Sequence, residues 1–457
     1  MKFLKDSLYP LLKLAIPLAI TGVLQSSAYF FETLFLAHLG TKELAAGGLV
    51  SWLFGTFIVI IIGVLSSINI LVSHKHGAKD DDGIALVVRD GVWLALLLFI
   101  PSFILFWNLS PVFILLGQNK EVVALAETYL RALAWGLLPD LIMFALLQYI
   151  VGLGSARVIL LFSLMSVSLT VFFSYSLIFG RFGFPTIGFA GAGWGTTLSL
   201  WISALCVIIF ILTKAKYRAY LRYLFKPGKA SYIKELITVG APMGIMYCVE
   251  VGFFFALTLI AGFLGSQILA ANQIALQYMT TLMSLAFSVA QAVTVRMGHL
   301  LGAGEIHAAK KASYTGVLLT GIFMTLIAFI FWFMPTLLVS IDFDIYAAKN
   351  FELVKFATQL LMISAVFQIF ESMRITFFGA LRALKDTRFT LYVSIFSFWL
   401  LALPLGYWLE IRFHLNGAGL WWGMVVGAVF SVFALLWRFN FKINNGWVVT
   451  QHDLDDG

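Results

Sequence analysis

Four carboxylates stand inside long apolar runs of this chain: Glu32 in FFETLFLAHLG, Asp140 in WGLLPDLIMFALLQ, Glu250 in MYCVEVGFFFALTL and Glu371 in FQIFESMRITFF. An ionised acid at mid-membrane depth costs about 2.5–3.5 kcal/mol on insertion scales, so acids kept there are expected to hold a proton or a cation. Glu250 lies eight residues after Pro242, deep in its run. Glu32 lies fifteen after Pro17, about four helical turns on and near the end of its run, where snorkelling to the interface competes with function. Asp140 directly follows Pro139, a setting that suits capping or hydration of a broken helix as well as it suits chemistry.

Glu371 has Gln368 three residues before it and Arg374 three after, so all three share one helix face. An ion pair between Glu371 and Arg374 would neutralise both; in a low-dielectric site it would hold Glu371 ionised, which suits a cation site better than a proton carrier. Other chemistries lack their residues. The chain has no HExxH, no GxxxxGK loop and no nucleophile elbow, and its histidines fall in or near connections. The two cysteines, Cys206 and Cys248, lie in apolar stretches and support neither a disulfide framework nor a Cys metal site. Without an ATP-binding module, pumping would have to draw on an ion gradient.

The elements that carry these acids follow from composition. The chain is 61% hydrophobic and 11% charged, with mean hydropathy +0.97, where soluble domains carry about 25% charge. This is an all-α polytopic membrane protein. Apolar runs long enough to cross a bilayer begin at the N-terminus and recur at about 46–71, 90–115, 128–151, 157–180, 190–213, 233–262, 272–298, 312–340, 353–378, 389–411 and 417–438.

The two halves repeat. Pro17 and Pro242, Leu39-Gly40 and Leu264-Gly265, Ala45-Ala46 and Ala270-Ala271, and His74 and His299 are each 225 residues apart, the signature of an internally duplicated transporter. The repeat also identifies the signal-like N-terminus as a first spanning helix, because its duplicate lies mid-chain. The expected organisation is an N-terminal six-helix lobe over 1–213, a basic cytoplasmic linker over 214–232, a C-terminal six-helix lobe over 233–438 and a cytoplasmic tail over 439–457. The acids are not themselves repeated: Leu257 stands opposite Glu32, and Gln25 opposite Glu250. The halves have one plan and different chemistry.

Lys and Arg concentrate in the connections on the side of both termini, above all in KAKYRAYLRYLFKPGKASYIKE, which places both termini in the cytoplasm. The net charge of +8 is read as these basic loops rather than as nucleic-acid binding. The linker run is an interhalf connection fixing topology, with anionic-lipid binding as its alternative. The segments IGFAGAGWGTT and NGAGLWWG open the last helix of each half, and their repetition points to close helix packing rather than a phosphate loop.

Three stretches together resemble the multidrug and toxic compound extrusion (MATE) transporters of the NorM-type branch: ETLFLAHLGTKELAA, the pair AANQIALQYM and VTVRMGHLLGAGE, and GALRALKDT. The resemblance covers both halves. It implies two pseudo-symmetric six-helix lobes around a central cavity opening alternately to the two sides, and export of organic, often cationic and aromatic compounds in exchange for Na+ or H+. It further implies a cation site in the C-terminal lobe with Glu250 and Glu371 as its acids, and Glu32 in place of an Asp on the first helix. Thr170 and Ser174 stand where Asn is expected on the fifth helix, Phe367 stands where a tyrosine is expected, and Arg374 has no counterpart. These departures leave the choice between Na+ and H+ open. Gln273, Gln277 and Asp140 join Thr170, Ser174, Phe367 and Arg374 as possible cation or substrate contacts.

The expectation is thus a cation-coupled antiporter, monomeric, multi-pass in the inner (plasma) membrane, with organic cations and membrane lipid as partners and no cofactor. One rival is a lipid-linked sugar flippase of the same wider superfamily, which would need cationic residues for a pyrophosphate where only Arg374 and Arg131 stand inside apolar runs. The other is a membrane-embedded enzyme, against which the missing catalytic constellations count.

Overall fold

A computed structural model of the chain describes residues 7–115, 117–224, 231–342 and 350–446. The expected linker residues 225–230 and tail residues 447–457 lie outside them. The described chain is helical and contains no strand. Twelve helices are long and apolar enough to cross a membrane: α1 (Tyr9–Leu39), α2 (Thr41–Gly77), α3 (Asp81–Trp107), α4 (Lys120–Gly152), α5 (Ala156–Phe179), α6 (Ala190–Thr213), α7 (Ile233–Leu264), α8 (Ser266–Gly302), α9 (Ile306–Phe333), α10 (Phe351–Ala383), α11 (Thr387–Phe413) and α12 (Ala418–Asn445).

Several helices run past the apolar windows that predict them, because local pairing neutralises charges that hydropathy alone would exclude. α3 starts at Asp81 instead of near residue 90: the Asp80 carboxylate accepts the Gly83 N–H at 2.8 Å and so caps the helix. Further along, Arg89 and Asp90 pair at 2.8 Å and are both buried. At the α1–α2 and α7–α8 junctions one residue makes the reversal. Gly40 and Gly265, repeat partners, take φ of 153° and 145°, a region open to glycine and strained for other residues.

The chain divides into two compact units, and the division falls inside helices. One unit is Met1–Ala15 with Pro242–Gly457; the other is Ile16–Ala241. The lobe boundaries expected near 213 and 233 are therefore not where packing changes. It changes immediately before Pro17 on α1 and at Pro242 on α7, the two repeat-related prolines. Each proline removes a backbone donor and weakens the helix where the chain passes from one unit to the other. Leu11, ahead of Pro17, lies beside Gly316 of α9, and Gly240, ahead of Pro242, lies against Val64 of α2.

The basic connection also belongs to the N-terminal unit. Tyr217 donates to Ser155 at 3.1 Å, Tyr220 to Asp81 at 3.0 Å, and Arg222 pairs with Asp82 at 2.7 Å. The described part of the linker is thus docked on the ends of α3 and α5 rather than free. Each unit has its own apolar core. One gathers Leu36, Val50, Phe106, Tyr129 and Phe189, the other Phe253, Ile274, Phe367, Trp421 and Met424.

Glycine lets the last helix of each unit pack closely. A Cβ on Gly195 of α6 would stand 2.5 Å from the Ser174 backbone N of α5, and one on Gly423 of α12 would stand 2.4 Å from the Ala402 carbonyl oxygen of α11. Both glycine-rich segments therefore serve close helix packing.

Candidate functional site

In the C-terminal unit, Glu250 of α7 and Glu371 of α10 converge on Arg374. The guanidinium Nε donates to Glu371 Oε2 at 2.8 Å, Nη2 donates to Glu371 Oε1, and Nη1 donates to Glu250 Oε1 at 2.8 Å and to Ser394 Oγ at 3.2 Å. The Ser394 hydroxyl donates in turn to Glu250 Oε1 at 3.0 Å. Only 1% of Arg374, 3% of Glu371 and 8% of Glu250 is exposed, which puts two acids and one base out of solvent together. When ionised the three carry a net charge of one negative.

Sequence reasoning anticipates the α10 pair from its three-residue spacing. It misses the arm to Glu250, which lies 124 residues away. It also misses what α11 contributes. Residues Ile395–Ala402 form a π-helical stretch, a local widening of the helix that recurs at functional sites. Beside it, Ser394 reaches Glu250, and from within it Trp399 Nε1 donates to the Val249 carbonyl oxygen at 3.0 Å. Within it, the Phe398 ring lies 4.7 Å from the guanidinium carbon of Arg374, with the Phe378 ring of α10 at 4.4 Å. Nothing about a serine and two aromatics in an apolar run marks them out; the chain must be folded first.

Next to this cluster, Gln368 lies one turn before Glu371 and is 1% exposed, with both amide atoms lacking a hydrogen-bond partner among the described residues. Phe367 is fully buried and stands edge-on to Trp421 at 6.1 Å, while Trp421 Nε1 donates to Asn272 at 3.0 Å. Phe367 is therefore part of the apolar core of this unit. Gln273 and Gln277, four residues apart on α8, are both exposed.

In the N-terminal unit, Glu32 and Asp140 both lie within electrostatic reach of Tyr29, a residue sequence reasoning does not single out. Both acids are partly buried, and Glu32 Oε1 has no hydrogen-bond partner among the described residues. Thr170 and Ser174 differ in their bonding, and Ser174 Oγ has no hydrogen-bond partner among the described residues. Thr170 donates to Ser199 of α6 at 2.8 Å, and Ser174 is buried beneath Gly195. Arg131, the other basic residue in an apolar run, pairs with Glu127 and lies over the Trp107 ring at 5.2 Å.

A dozen helices long and apolar enough to span a membrane, in two packing units with ionisable side chains held inside each, define a multi-pass membrane protein. The MatE family model matches residues 17–176 and 242–408, two copies that start at the repeat-related prolines. The chain belongs to the MatE family. It is 32% identical over 434 residues to the multidrug resistance protein NorM of Burkholderia vietnamiensis, covering 95% of this chain and 94% of that protein. It is 33% identical over 431 residues to a probable multidrug resistance protein NorM of Burkholderia mallei, covering 94% and 92%. Among solved structures, a crystal structure of MATE in the bent conformation matches with a TM-score of 0.88 at 18% identity over 97% of each chain, a likeness of fold.

Proposed function

We propose that this chain is a cation-coupled antiporter that exports organic, cationic and aromatic compounds by alternating access, taking up Na+ or H+ in exchange. It works as a monomer in the inner (plasma) membrane with both termini cytoplasmic. The single observation that carries this reading is the buried meeting of Glu250, Glu371 and Arg374 inside spanning helices. Ionisable side chains within membrane spans are costly, pair with one another and are retained where ions are handled. Glu32 and Asp140 supply a second pair of acids in the N-terminal unit. The multidrug character of the curated relatives supports an organic substrate, and a chain that is 16% aromatic suits flat cations.

The energetics constrain the stoichiometry. An ion moving down 100 mV releases about 2.3 kcal/mol per charge, and a tenfold ion gradient adds about 1.4 kcal/mol. Exchange of one ion for one monovalent organic cation moves no net charge, so only the second contribution drives it. A larger substrate gradient requires a second ion or an uncharged substrate.

Against the flippase alternative, Arg131 and Arg374, the two basic residues expected inside apolar runs, already have carboxylate partners, so neither is free for a pyrophosphate. The test is efflux of a fluorescent organic cation from proteoliposomes with Na+ and H+ gradients imposed one at a time. The expected result is gradient-driven transport that Glu250→Gln and Glu371→Gln each lower by roughly tenfold or more. Full activity in both variants overturns the reading.

A further inference from the structure

We infer that Arg374 is a built-in cation that occupies the place between Glu250 and Glu371 and closes this site to Na+. The inference rests on the antiporter reading and narrows its exchange ion. Two buried carboxylates on different helices would by themselves make an attractive seat for a small cation, and the chain fills that seat with its own guanidinium.

Donor counting carries the argument. Both oxygens of Glu371 accept from Arg374, and Glu250 Oε1 accepts from Arg374 and from Ser394. The Ser394 hydroxyl is itself used twice, accepting from Arg374 and donating to Glu250. Of the five side-chain oxygens in the cluster, Glu250 Oε2 alone has no such bond to its members. A hard cation coordinated by oxygen takes roughly six ligands. Among the described residues, no group of three or more His, Cys, Asp or Glu stands ready to supply them.

Charge acts in the same direction. Among the described residues, Arg374 and Glu250 are the charged groups that act on Glu371, so the guanidinium is the dominant local positive charge there. Taken by itself, its repulsion of a second unit positive charge about 4 Å away, at an effective dielectric of about 20, is worth about a thousandfold in binding constant, which offsets the attraction of one of the two carboxylates. Nor is the guanidinium free to swing aside: it is 1% exposed, held to both acids, and has the Phe378 and Phe398 rings against it. Of the two exchange ions proposed above, this leaves the proton, which needs one oxygen rather than six.

The experiment is ²²Na+ binding to the purified full chain in detergent at fixed pH and ionic strength, with choline as the balancing cation. The native chain and Arg374→Lys are expected to show no saturable Na+ binding. Arg374→Gln is expected to gain saturable binding at least tenfold above the native level, and Glu250→Gln in the Arg374→Gln background is expected to abolish it. Saturable binding to the native chain that Glu250→Gln removes overturns the inference, and this arm does not depend on how well the Arg374 variants fold. A monodisperse Arg374→Gln protein that binds no Na+ overturns it too. Because binding is read without transport, loss of all gradient-driven efflux would defeat the antiporter reading while leaving the Na+ result standing.

Discussion

Trp399 donates its indole N–H to the carbonyl oxygen of Val249 at 3.0 Å, the residue just ahead of Glu250 on a different helix. With Ser394 bonded to the Glu250 carboxylate and the Phe398 ring 4.8 Å from that of Phe253, α11 holds α7 through residues 394–399, a stretch of less than two turns. The acid of α7 is therefore positioned by α11 as much as by its own helix. Replacing Trp399 with Phe removes one hydrogen bond and keeps most of the apolar body, so the expected loss of stability is about 1 kcal/mol. Thermal unfolding in detergent checks this. Ser394→Ala is expected to lose a similar amount, and the pair of changes to fall short of the sum because both act on one contact region.

Breaking the ion cluster from one side is expected to cost far more. Arg374→Met leaves two acids buried without their partner, for which the expected penalty is about 3–5 kcal/mol. Adding Glu371→Gln removes one of the stranded charges and is expected to restore part of the lost thermal stability. A double variant no more stable than Arg374→Met would contradict the account of the cluster as a mutually neutralising group.

Much of this arrangement is legible before folding, and the limit of legibility has a physical cause. Helices, their number and the duplication follow from apolar run length and from residues repeated at a fixed offset. The α10 pair is local and therefore visible in the spacing of Glu371 and Arg374. The reach of Arg374 to Glu250 and the bonds from Ser394 and Trp399 of α11 to α7 depend on contacts across more than a hundred residues, and the exchange of chain between units at Pro17 and Pro242 depends on packing in the folded chain. Helix ends are mispredicted where buried pairs such as Arg89–Asp90 let a helix run through charges.

The close packing of α11 on α12 gives a sharp expectation. A side chain on Gly423 would collide with the Ala402 carbonyl and with the Gly406 backbone, neither of which can move without shifting a helix. Gly423→Val is therefore expected to prevent recovery of folded protein by detergent size exclusion. Gly48, with nothing within 4 Å of its added Cβ, is expected to tolerate alanine with a change of at most about 1 kcal/mol.

At the turn between α2 and α3, burial works against the Asp80 carboxylate. Hydrogen bonds from Lys75 and the Gly83 N–H outweigh it and hold its pKa below the ordinary range. A carboxylate whose folded pKa is depressed contributes stability above its unfolded pKa and loses it as pH falls through the folded value. Asp80→Asn is expected to retain the cap and abolish this acid-side dependence, while Asp80→Ala loses about 1 kcal/mol of cap stability at neutral pH. Melting curves from neutral to acidic pH distinguish the two.

Gln368 offers the reverse case, a change expected to stabilise. Its amide is 1% exposed and neither polar atom has a partner among the described residues. A buried group left unsatisfied costs about 1–3 kcal/mol. Methionine matches its length without the polar atoms, so Gln368→Met is expected to raise the thermal midpoint. The residue lies one turn from Glu371, on the face that carries the ion cluster, and an amide kept there at a cost in stability is expected to matter for transport. The variant should therefore be more stable and slower in efflux. A variant that gains stability with efflux unchanged would make Gln368 a tolerated flaw in packing. A variant that loses stability would mean that the amide is satisfied by an ordered water, which a high-resolution crystal structure of the native chain would reveal between Gln368 and its neighbours.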